Sequence, residues 1–293
     1  MTITIPPIRP KNILETNQMR EVVHRTLAVT ASGGLCVWCG RARIGKTTTA
    51  AYLVAELDKA MKNGDPAAFR AGYYSAGKIS SKASNPDRLG IVSLYEGILG
   101  LTLDRGISMK SPEYLASMIV DNFITRKIRL VIVDEAGQLT SEALRGMVKV
   151  WDEAQFRHWP FTIVLVGMDN LPAIVNKYPQ VRERVLEWCF FKEYSFDETW
   201  KLLREFHPHF RKLDPIKKED KEQVAFIYDT YGGVPGLILP FVHKFERRVI
   251  GWNEPITVKF LRAIHIATQK EQQDIVESVE REYKQSKNQE EAA

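Results

Sequence analysis

The sequence predicts an α/β protein in which a parallel five-stranded sheet is followed by a small α-helical domain. Up to about residue 195, short apolar runs alternate with longer segments of helical periodicity, a pattern typical of a parallel sheet covered on both faces. After that point the strand-like runs stop and helical segments continue. The 293 residues are 44% hydrophobic and 26% charged, which excludes collagen-like, mucin-like and wholly disordered chains.

Five strands are predicted from short apolar runs bounded by glycine and other turn residues. The first is LCVWC at 35–39, which lies between Gly33-Gly34 and Gly40. The others are RAGYYS at 70–75, LVIV at 130–133, FTIVLV at 161–166 and CFFKEY at 189–194. We expect these five runs to form a single sheet.

Helices are predicted between and after these strands. The segment at 46–63 has helical spacing and ends before the turn at Gly64-Asp65-Pro66, and a second helix is predicted at 87–101. The helix at 111–127 starts with Ser111 as its N-cap and Pro112 at its first position. Further helices are predicted at 140–156 and 178–188, and the segments beyond residue 195 indicate a helical bundle.

Charge is distributed unevenly along the chain. The net charge is +5, but the residues from Lys270 to the end include four Lys or Arg and seven Asp or Glu, which leaves residues 1–269 at +8. The positive net charge of residues 1–269 is typical of proteins that bind a polyanion such as nucleic acid. It agrees equally well with a charged surface that only keeps the protein soluble. No apolar run approaches the roughly 18 residues of a membrane span. With no secretory signal and only three cysteines, we expect a cytoplasmic protein without a membrane partner.

The segment from Gly40 to Thr47 fits G-x-x-x-x-G-K-[ST] in full, after a predicted strand and at the start of a predicted helix. Glycines allow a tight turn, so that successive N–H groups and the helix N-terminus surround phosphate groups. We expect Lys46 to reach the β- and γ-phosphates of ATP and the Thr47 hydroxyl to bind Mg²⁺. The residues predicted to hold the nucleotide here are Gly40, Arg41, Ala42, Arg43, Ile44, Gly45, Lys46, Thr47 and Thr48.

The predicted strand LVIV ends in an acidic pair, Asp134-Glu135. A carboxylate at the end of a buried strand can reach Mg²⁺ beside the P-loop, so Asp134 is a candidate metal ligand together with Thr47. Glu135 can polarise the attacking water as a general base. The adjacent glutamate, about 90 residues beyond the P-loop, favours an ATPase over a small kinase or a Ras-like GTPase.

Further residues are candidates for contact with the γ-phosphate. The fourth strand leads into Asp169-Asn170, where Asn170 or Asp169 could sense the γ-phosphate or could cap a loop. Arg182 and Arg184 follow in the predicted helix at 178–188. Either arginine could complete the site of a neighbouring subunit as an arginine finger, or could be an exposed helix charge.

These motifs together resemble those of the AAA+ ATPases of DNA transposition, the TnsC, TniB and MuB group, from about Pro6 to Ile266. The segment ILETNQMREVVHRTL after Pro6-Pro7 is similar to the lead-in helix of this group, and IVDEAGQL to its acidic strand. IVLVGMDNL followed by QVRERV is similar to its fourth strand and arginine-finger helix, and YGGVPG at 231–236 to its helical-lid motif. The resemblance implies an AAA+ P-loop NTPase fold with a helical lid.

The resemblance also assigns regions and residues. Residues 1–30 would form an N-terminal arm and lead-in helix, 31–195 the AAA+ nucleotide-binding domain, 196–269 the lid, and 270–293 a charged tail. Leu14 would lie against the adenine, Pro235 would contact the nucleotide from the lid, and Arg184 rather than Arg182 would be the finger. Gly236 stands where many AAA+ proteins have an arginine, which implies slow, assembly-stimulated ATP hydrolysis.

The function implied by the resemblance is that of an ATP-dependent, DNA-binding transposition regulator. Such a protein binds ATP between subunits, assembles as a ring or helical filament on double-stranded DNA, recruits or activates a transposase, and disassembles on hydrolysis; it could also serve a target-selection protein. Basic residues would contact DNA phosphates without reading sequence. These are Lys78, Lys82, Arg88 and Lys110. The alternatives are an AAA+ switch that acts on a protein partner, as in secretion or signalling, and a helicase loader.

Overall fold

The structure of the protein, a computed structural model, describes residues 13–76, 111–250 and 255–291. The chain divides into two compact units between Lys192 and Glu193. The helix predicted at 87–101 lies outside the described residues. Within the described ranges, every helix is too short or too polar to cross a membrane.

The first unit is built on a five-stranded parallel sheet, as predicted. Its strands are β1 (Gly34–Cys39), β2 (Arg70–Ser75), β3 (Ile128–Asp134), β4 (Thr162–Gly167) and β5 (Val185–Phe190). They lie in the order β2-β3-β4-β1-β5, and every neighbouring pair is parallel. Strand β4 therefore separates the strand that precedes the P-loop from the strand that ends in the acidic pair.

The helices of the first unit are α1 (Asn17–Ser32), α2 (Lys46–Lys62), α3 (Pro112–Thr125), α4 (Ser141–Phe156), and the short α5 (Leu171–Asn176) and α6 (Pro179–Arg182). The helices predicted at 46–63, 111–127 and 140–156 lie close to their predicted positions, as α2, α3 and α4. Ser111 is the N-cap of α3, as predicted, and its hydroxyl accepts a hydrogen bond from the Tyr114 amide. Thr140 caps α4 in the same way through the Ala143 amide. These caps satisfy amides that the first helical turn leaves free.

The central strands are buried on both faces, which explains their continuous apolar runs. Every residue of β1 and β4 is buried. On one face Val37 and Leu165 join a hydrophobic core that includes Phe123 and Phe161. On the other face the Trp38 indole donates to the Thr26 hydroxyl of α1 at 3.0 Å. This packing fixes the carboxyl ends of the strands, where the predicted site residues lie.

The predicted fifth strand at 189–194 and the predicted helix at 178–188 were both misplaced. Helix α6 ends at Arg182, and β5 runs from Val185 to Phe190. Among the described strands, β5 pairs with β1 alone and lies at the edge of the sheet, and Leu186 and Phe190 are more than half exposed. Its apolar pattern is also interrupted by Glu187, which forms an ion pair with Arg25 of α1. A half-exposed edge strand lacks the uniform apolar run by which the other strands were predicted.

The described residues of the second unit form helices only. These are α7 (Phe196–Phe206), α8 (Pro208–Arg211), α9 (Lys218–Tyr231), α10 (Pro235–Val249) and α11 (Val258–Glu291). Phe210, Phe241 and Phe245 form an aromatic core in which His207 is buried. The charged tail predicted at 270–293 is helical as far as Glu291.

Candidate functional site

The P-loop connects β1 to α2 and depends on glycine where the helix begins. Gly45 has φ 103°, a conformation that side chains other than glycine rarely adopt, and it immediately precedes α2. The Lys46 ammonium then reaches back across the loop. Its Nζ donates to the carbonyl oxygens of Gly40 at 2.6 Å and Arg41 at 2.7 Å. The sequence thus places a cation inside the loop predicted to hold phosphate groups.

Lys46 is buried, and burial lowers its pKa. The nearby acidic side chains of Asp134 and Asp169 act in the opposite direction, because they favour the charged ammonium. Asp134 is the last residue of β3 and Asp169 follows β4, so the carboxyl ends of two strands place negative charge around the lysine. A cation poised between carboxylates and backbone carbonyls suits the binding of a polyanion.

Asp134 is held by three hydrogen-bond donors. The Thr47 hydroxyl and the Tyr73 hydroxyl each donate to Oδ2 at 2.7 Å. The Glu135 amide donates to Oδ1 at 2.8 Å. The two predicted metal ligands, Thr47 and Asp134, are therefore in direct contact although 87 residues separate them. Burial raises the pKa of Tyr73, with Asp134 adding to the effect, so its hydroxyl remains a donor.

Glu135 has an exposed side chain and a strained backbone. Its φ is 56°, in the left-handed region, which costs a non-glycine residue roughly 1 kcal/mol. Such strain often marks functional positions. The Ser75 hydroxyl, at the end of β2, donates to Oε2 of Glu135 at 3.2 Å. The predicted catalytic base is thus held by a neighbouring strand.

Candidate sensor residues follow β4. Asn170 immediately precedes α5, its side chain does not cap that helix, and it is exposed. Its Oδ1 would lie 3.9 Å from a Cβ placed on Gly137, beside the turn that follows the acidic pair. Asp169 is close enough to Lys46 to affect its pKa. Both remain predictions as γ-phosphate sensors.

Arg184 is engaged within its own chain. Its Nη2 donates to Oδ1 of Asp152 at 2.8 Å and to Oδ2 at 3.2 Å, and its Nη1 donates to the Gln180 carbonyl at 2.6 Å. Its guanidinium carbon also lies 5.4 Å from the centre of the Trp151 ring. Arg182 is exposed at the end of α6. To act as an arginine finger, Arg184 would first have to break these contacts. The exposed side chain of Arg182 could reach a neighbouring subunit without breaking them.

The remaining predicted contacts fall in other parts of the chain. Leu14 is half-buried just before α1, and the following Glu15 accepts from the Tyr52 hydroxyl of α2 at 2.8 Å. This bond ties the segment predicted to contact the adenine to the helix that starts at the P-loop. Pro235 is the first residue of α10 in the second unit. The four predicted DNA contacts, Lys78, Lys82, Arg88 and Lys110, lie outside the described residues.

Tyr73 and Ser75 were not predicted as site residues. The sequence placed both on a strand, but it did not indicate that β2 lies beside β3. In the sheet, Ser75 is in register with Asp134. Polar side chains at the carboxyl end of a strand beside an acidic strand are the signal that could have found them, once the strand order is known.

The fold and the site together define the protein as a P-loop ATPase. It has a P-loop that opens a helix, an acidic pair at the end of β3, and β4 inserted between the strand before the P-loop and the strand that carries the acidic pair. A family model described as AAA domain matches residues 29–175, and the chain belongs to this family. The protein is therefore an ATP-binding enzyme that hydrolyses ATP, as the sequence predicted.

Several solved structures share this fold. The ORC2 protein of Aeropyrum pernix in its ADPNP-ADP complexes has 17% identity and a TM-score of 0.60 over 89% of this chain and 69% of that chain. A chain of Drosophila ORC bound to DNA has 17% identity and a TM-score of 0.59, covering 88% and 62%. The RuvB Holliday junction branch migration motor of Thermotoga maritima has 12% identity and a TM-score of 0.53, covering 90% and 72%. These likenesses confirm the AAA+ fold. A sequence search of curated proteins gives no match.

Proposed function

We propose that this ATPase is a DNA-binding transposition regulator of the TnsC, TniB and MuB group. It would oligomerise on double-stranded target DNA when ATP is bound, and then recruit or activate a transposase. Hydrolysis would drive disassembly. The AAA family membership and the assembled Lys46, Asp134 and Glu135 cluster support the nucleotide half of this proposal.

Magnesium is the metal that the site suits. Among the described residues, no group of three or more His, Cys, Asp or Glu side chains could hold a metal ion. Thr47 and Asp134 instead offer one hydroxyl and one carboxylate in contact, and Mg²⁺ commonly combines one or two such oxygens with phosphate oxygens and water. When bound there, Mg²⁺ neutralises charge that develops on the β- and γ-phosphate oxygens.

The chain's own groups supply the remaining steps of hydrolysis. Lys46 would exchange its carbonyl partners on Gly40 and Arg41 for phosphate oxygens, to which a cation bonds more strongly. Glu135 would leave the Ser75 hydroxyl and accept a proton from the attacking water. Either Arg184, after release from Asp152, or the exposed Arg182 would complete the site of the adjacent subunit.

The main observation in support of DNA binding is the hydrogen bond between Ser75 and Glu135. Ser75 ends β2, and the sequence continues into residues 77–110, which include five Lys or Arg and three Asp or Glu. A partner that binds this segment would act on the strand that holds the catalytic base. The basic body of residues 1–269, with its net charge of +8, supports an anionic partner. Related folds in ORC bound to DNA and in RuvB also favour DNA.

Electron microscopy with duplex DNA and a non-hydrolysable ATP analogue tests the proposal. We expect nucleotide-dependent rings or filaments on DNA, and a DNA affinity that falls steeply with salt because phosphate contacts release counterions. The proposal fails if no polymer forms and the DNA affinity is independent of both nucleotide and salt. An ATPase activity that a protein partner stimulates and duplex DNA leaves unchanged would instead select the protein-directed switch.

Loading of a helicase is distinguished by the partner that is retained. In a pull-down with ATP and DNA, a transposition regulator should retain a transposase of the same mobile element. A loader should retain a replicative helicase under the same conditions. The Glu135→Gln variant is the best bait, because an assembly that cannot hydrolyse ATP persists.

A further inference from the structure

Tyr73 reaches Asp134 diagonally, from β2 to a residue two positions further along the neighbouring strand β3. In the register of β2 and β3, Tyr73 lies beside Ile132, and Asp134 lies beside Ser75. The phenol therefore spans two strand residues, which is roughly 6–7 Å and matches the length of a tyrosine side chain. Its hydroxyl donates to Oδ2 of Asp134 at 2.7 Å, and the residue is buried.

This bond restricts the orientation of the Asp134 carboxylate. Oδ2 accepts from both Tyr73 and Thr47, and Oδ1 accepts from the Glu135 amide. The donors come from β2, from α2 and from the main chain after β3, so rotation of the carboxylate breaks bonds to separate elements at once. Without the phenol, Oδ2 would be held by Thr47 alone, the residue that is also expected to face the metal.

We propose that Tyr73 is a positioning residue for the metal site, which holds the Asp134 carboxylate against Thr47 so that the two ligands face one cation. The inference rests on the proposed Mg²⁺ site at Thr47 and Asp134, and it is independent of DNA binding and transposition. Tyr73 acts through Asp134. Groups that orient a metal ligand in this way typically change metal affinity by about 10–100-fold when removed.

Mn²⁺ serves as the probe, because its binding can be followed by electron paramagnetic resonance. Tyr73→Phe removes the hydroxyl and keeps the ring. With a non-hydrolysable ATP analogue present, we expect the affinity of the full chain for Mn²⁺ to fall about 10-fold. In EDTA, the affinity for a fluorescent ATP analogue should stay within about twofold of the wild type, because the phenol has no role in metal-free nucleotide binding. General damage to the fold would lower both affinities.

Tyr74→Phe is the matched control. Tyr74 is the next residue of the same strand, and its side chain belongs to the hydrophobic core on the opposite face of the sheet. Loss of its hydroxyl should leave the Mn²⁺ affinity unchanged. An unchanged Mn²⁺ affinity in Tyr73→Phe, or an equal loss in Tyr74→Phe, overturns the inference.

A double-mutant cycle with Asp134→Asn identifies the route of the effect. If Tyr73 acts through Asp134, then Tyr73→Phe should cause no further loss of Mn²⁺ affinity in the Asp134→Asn background. Additive losses would overturn the inference. A Mn²⁺ defect in Tyr73→Phe, found in a protein that does not assemble on DNA, supports this inference and contradicts the proposed function. The positioning role of Tyr73 and the proposed DNA-binding function can therefore be contradicted independently.

Discussion

The Ser75 hydroxyl donates a 3.2 Å hydrogen bond to the carboxylate of Glu135, so the last residue of β2 holds the proposed catalytic base. The two residues are 60 positions apart and meet because β2 and β3 are neighbours in the sheet. In this arrangement one carboxylate oxygen of Glu135 is already occupied by a hydrogen bond from Ser75, and that bond must break before the oxygen can accept a proton from water. We therefore expect that release of this bond controls the rate of hydrolysis.

Ser75→Ala should raise the ATPase activity measured without DNA by several-fold, because it frees Glu135. It should also reduce the further stimulation by duplex DNA. Steady-state phosphate release with and without DNA measures both. Ser32→Ala, at the exposed end of α1, is the control and should change neither rate. A fall in activity would mean that Ser75 holds Glu135 in its productive orientation.

Glu135→Gln should retain ATP binding and slow hydrolysis by about 10²–10⁴-fold, because the amide cannot accept the proton of water. Any polymer formed with ATP should then persist. Single-turnover hydrolysis and nucleotide binding by fluorescence measure the two effects. Glu219→Gln replaces an exposed glutamate of α9 in the second unit and should behave as the wild type. Normal turnover in Glu135→Gln would require a different general base.

Lys46→Ala should abolish detectable nucleotide binding, because it removes the cation that lies across the P-loop. Lys62→Ala, at the exposed end of the same helix, should bind normally. Isothermal titration calorimetry with ATP compares the two variants, and circular dichroism checks that both are folded. Retained ATP affinity in Lys46→Ala would contradict the assignment of the loop.

Arg184→Ala should reduce assembly-stimulated hydrolysis if Arg184 is the finger, with the monomer still folded. It should also cost about 1 kcal/mol of stability, because it removes a bidentate bond to Asp152 that is only partly shielded from water. Asp152→Asn isolates that stability effect, since it weakens the pair and frees Arg184.

Arg182→Ala is the competing variant. If turnover is unchanged in Arg184→Ala and lost in Arg182→Ala, the finger is Arg182. Mixing either variant with Lys46→Ala subunits tests action between subunits. The finger variant keeps an intact P-loop, and the Lys46→Ala subunit keeps an intact arginine finger. If the arginine acts between subunits, ATPase activity should return at interfaces formed by one subunit of each kind.

Gly233→Ala should destabilise the second unit more than Gly232→Ala. Both glycines have positive φ, 67° and 59°, so alanine is strained at either position by roughly 1 kcal/mol. A Cβ on Gly233 would also stand 2.2 Å from the Tyr194 carbonyl oxygen, whereas a Cβ on Gly232 has nothing within 4 Å. We expect a total loss of about 3 kcal/mol for Gly233→Ala. Urea unfolding followed by circular dichroism gives the comparison, and equal losses would contradict the clash.

The elements that were located correctly from the sequence are those whose signals lie within a few neighbouring residues. The P-loop is a contiguous motif, and β1, β3 and β4 are uniformly apolar because both faces of the central strands are buried. Helix α3 was found from its cap, since Ser111 bonds an amide only three residues away. The fifth strand was misplaced, because it lies at the edge of the sheet and its apolar run is interrupted by Glu187, which pairs with Arg25.

The sequence by itself determined that this chain is an α/β ATPase with a P-loop and an acidic pair, because each of those signals lies in a few consecutive residues or in local periodicity. Only the tertiary structure decided which polar groups form hydrogen bonds with Asp134 and Glu135. Tyr73 reaches Asp134 across 61 residues, and Arg184 is paired with Asp152 across 32. Such contacts depend on which strands and helices become neighbours, and that is settled by packing of the whole sheet and its helices.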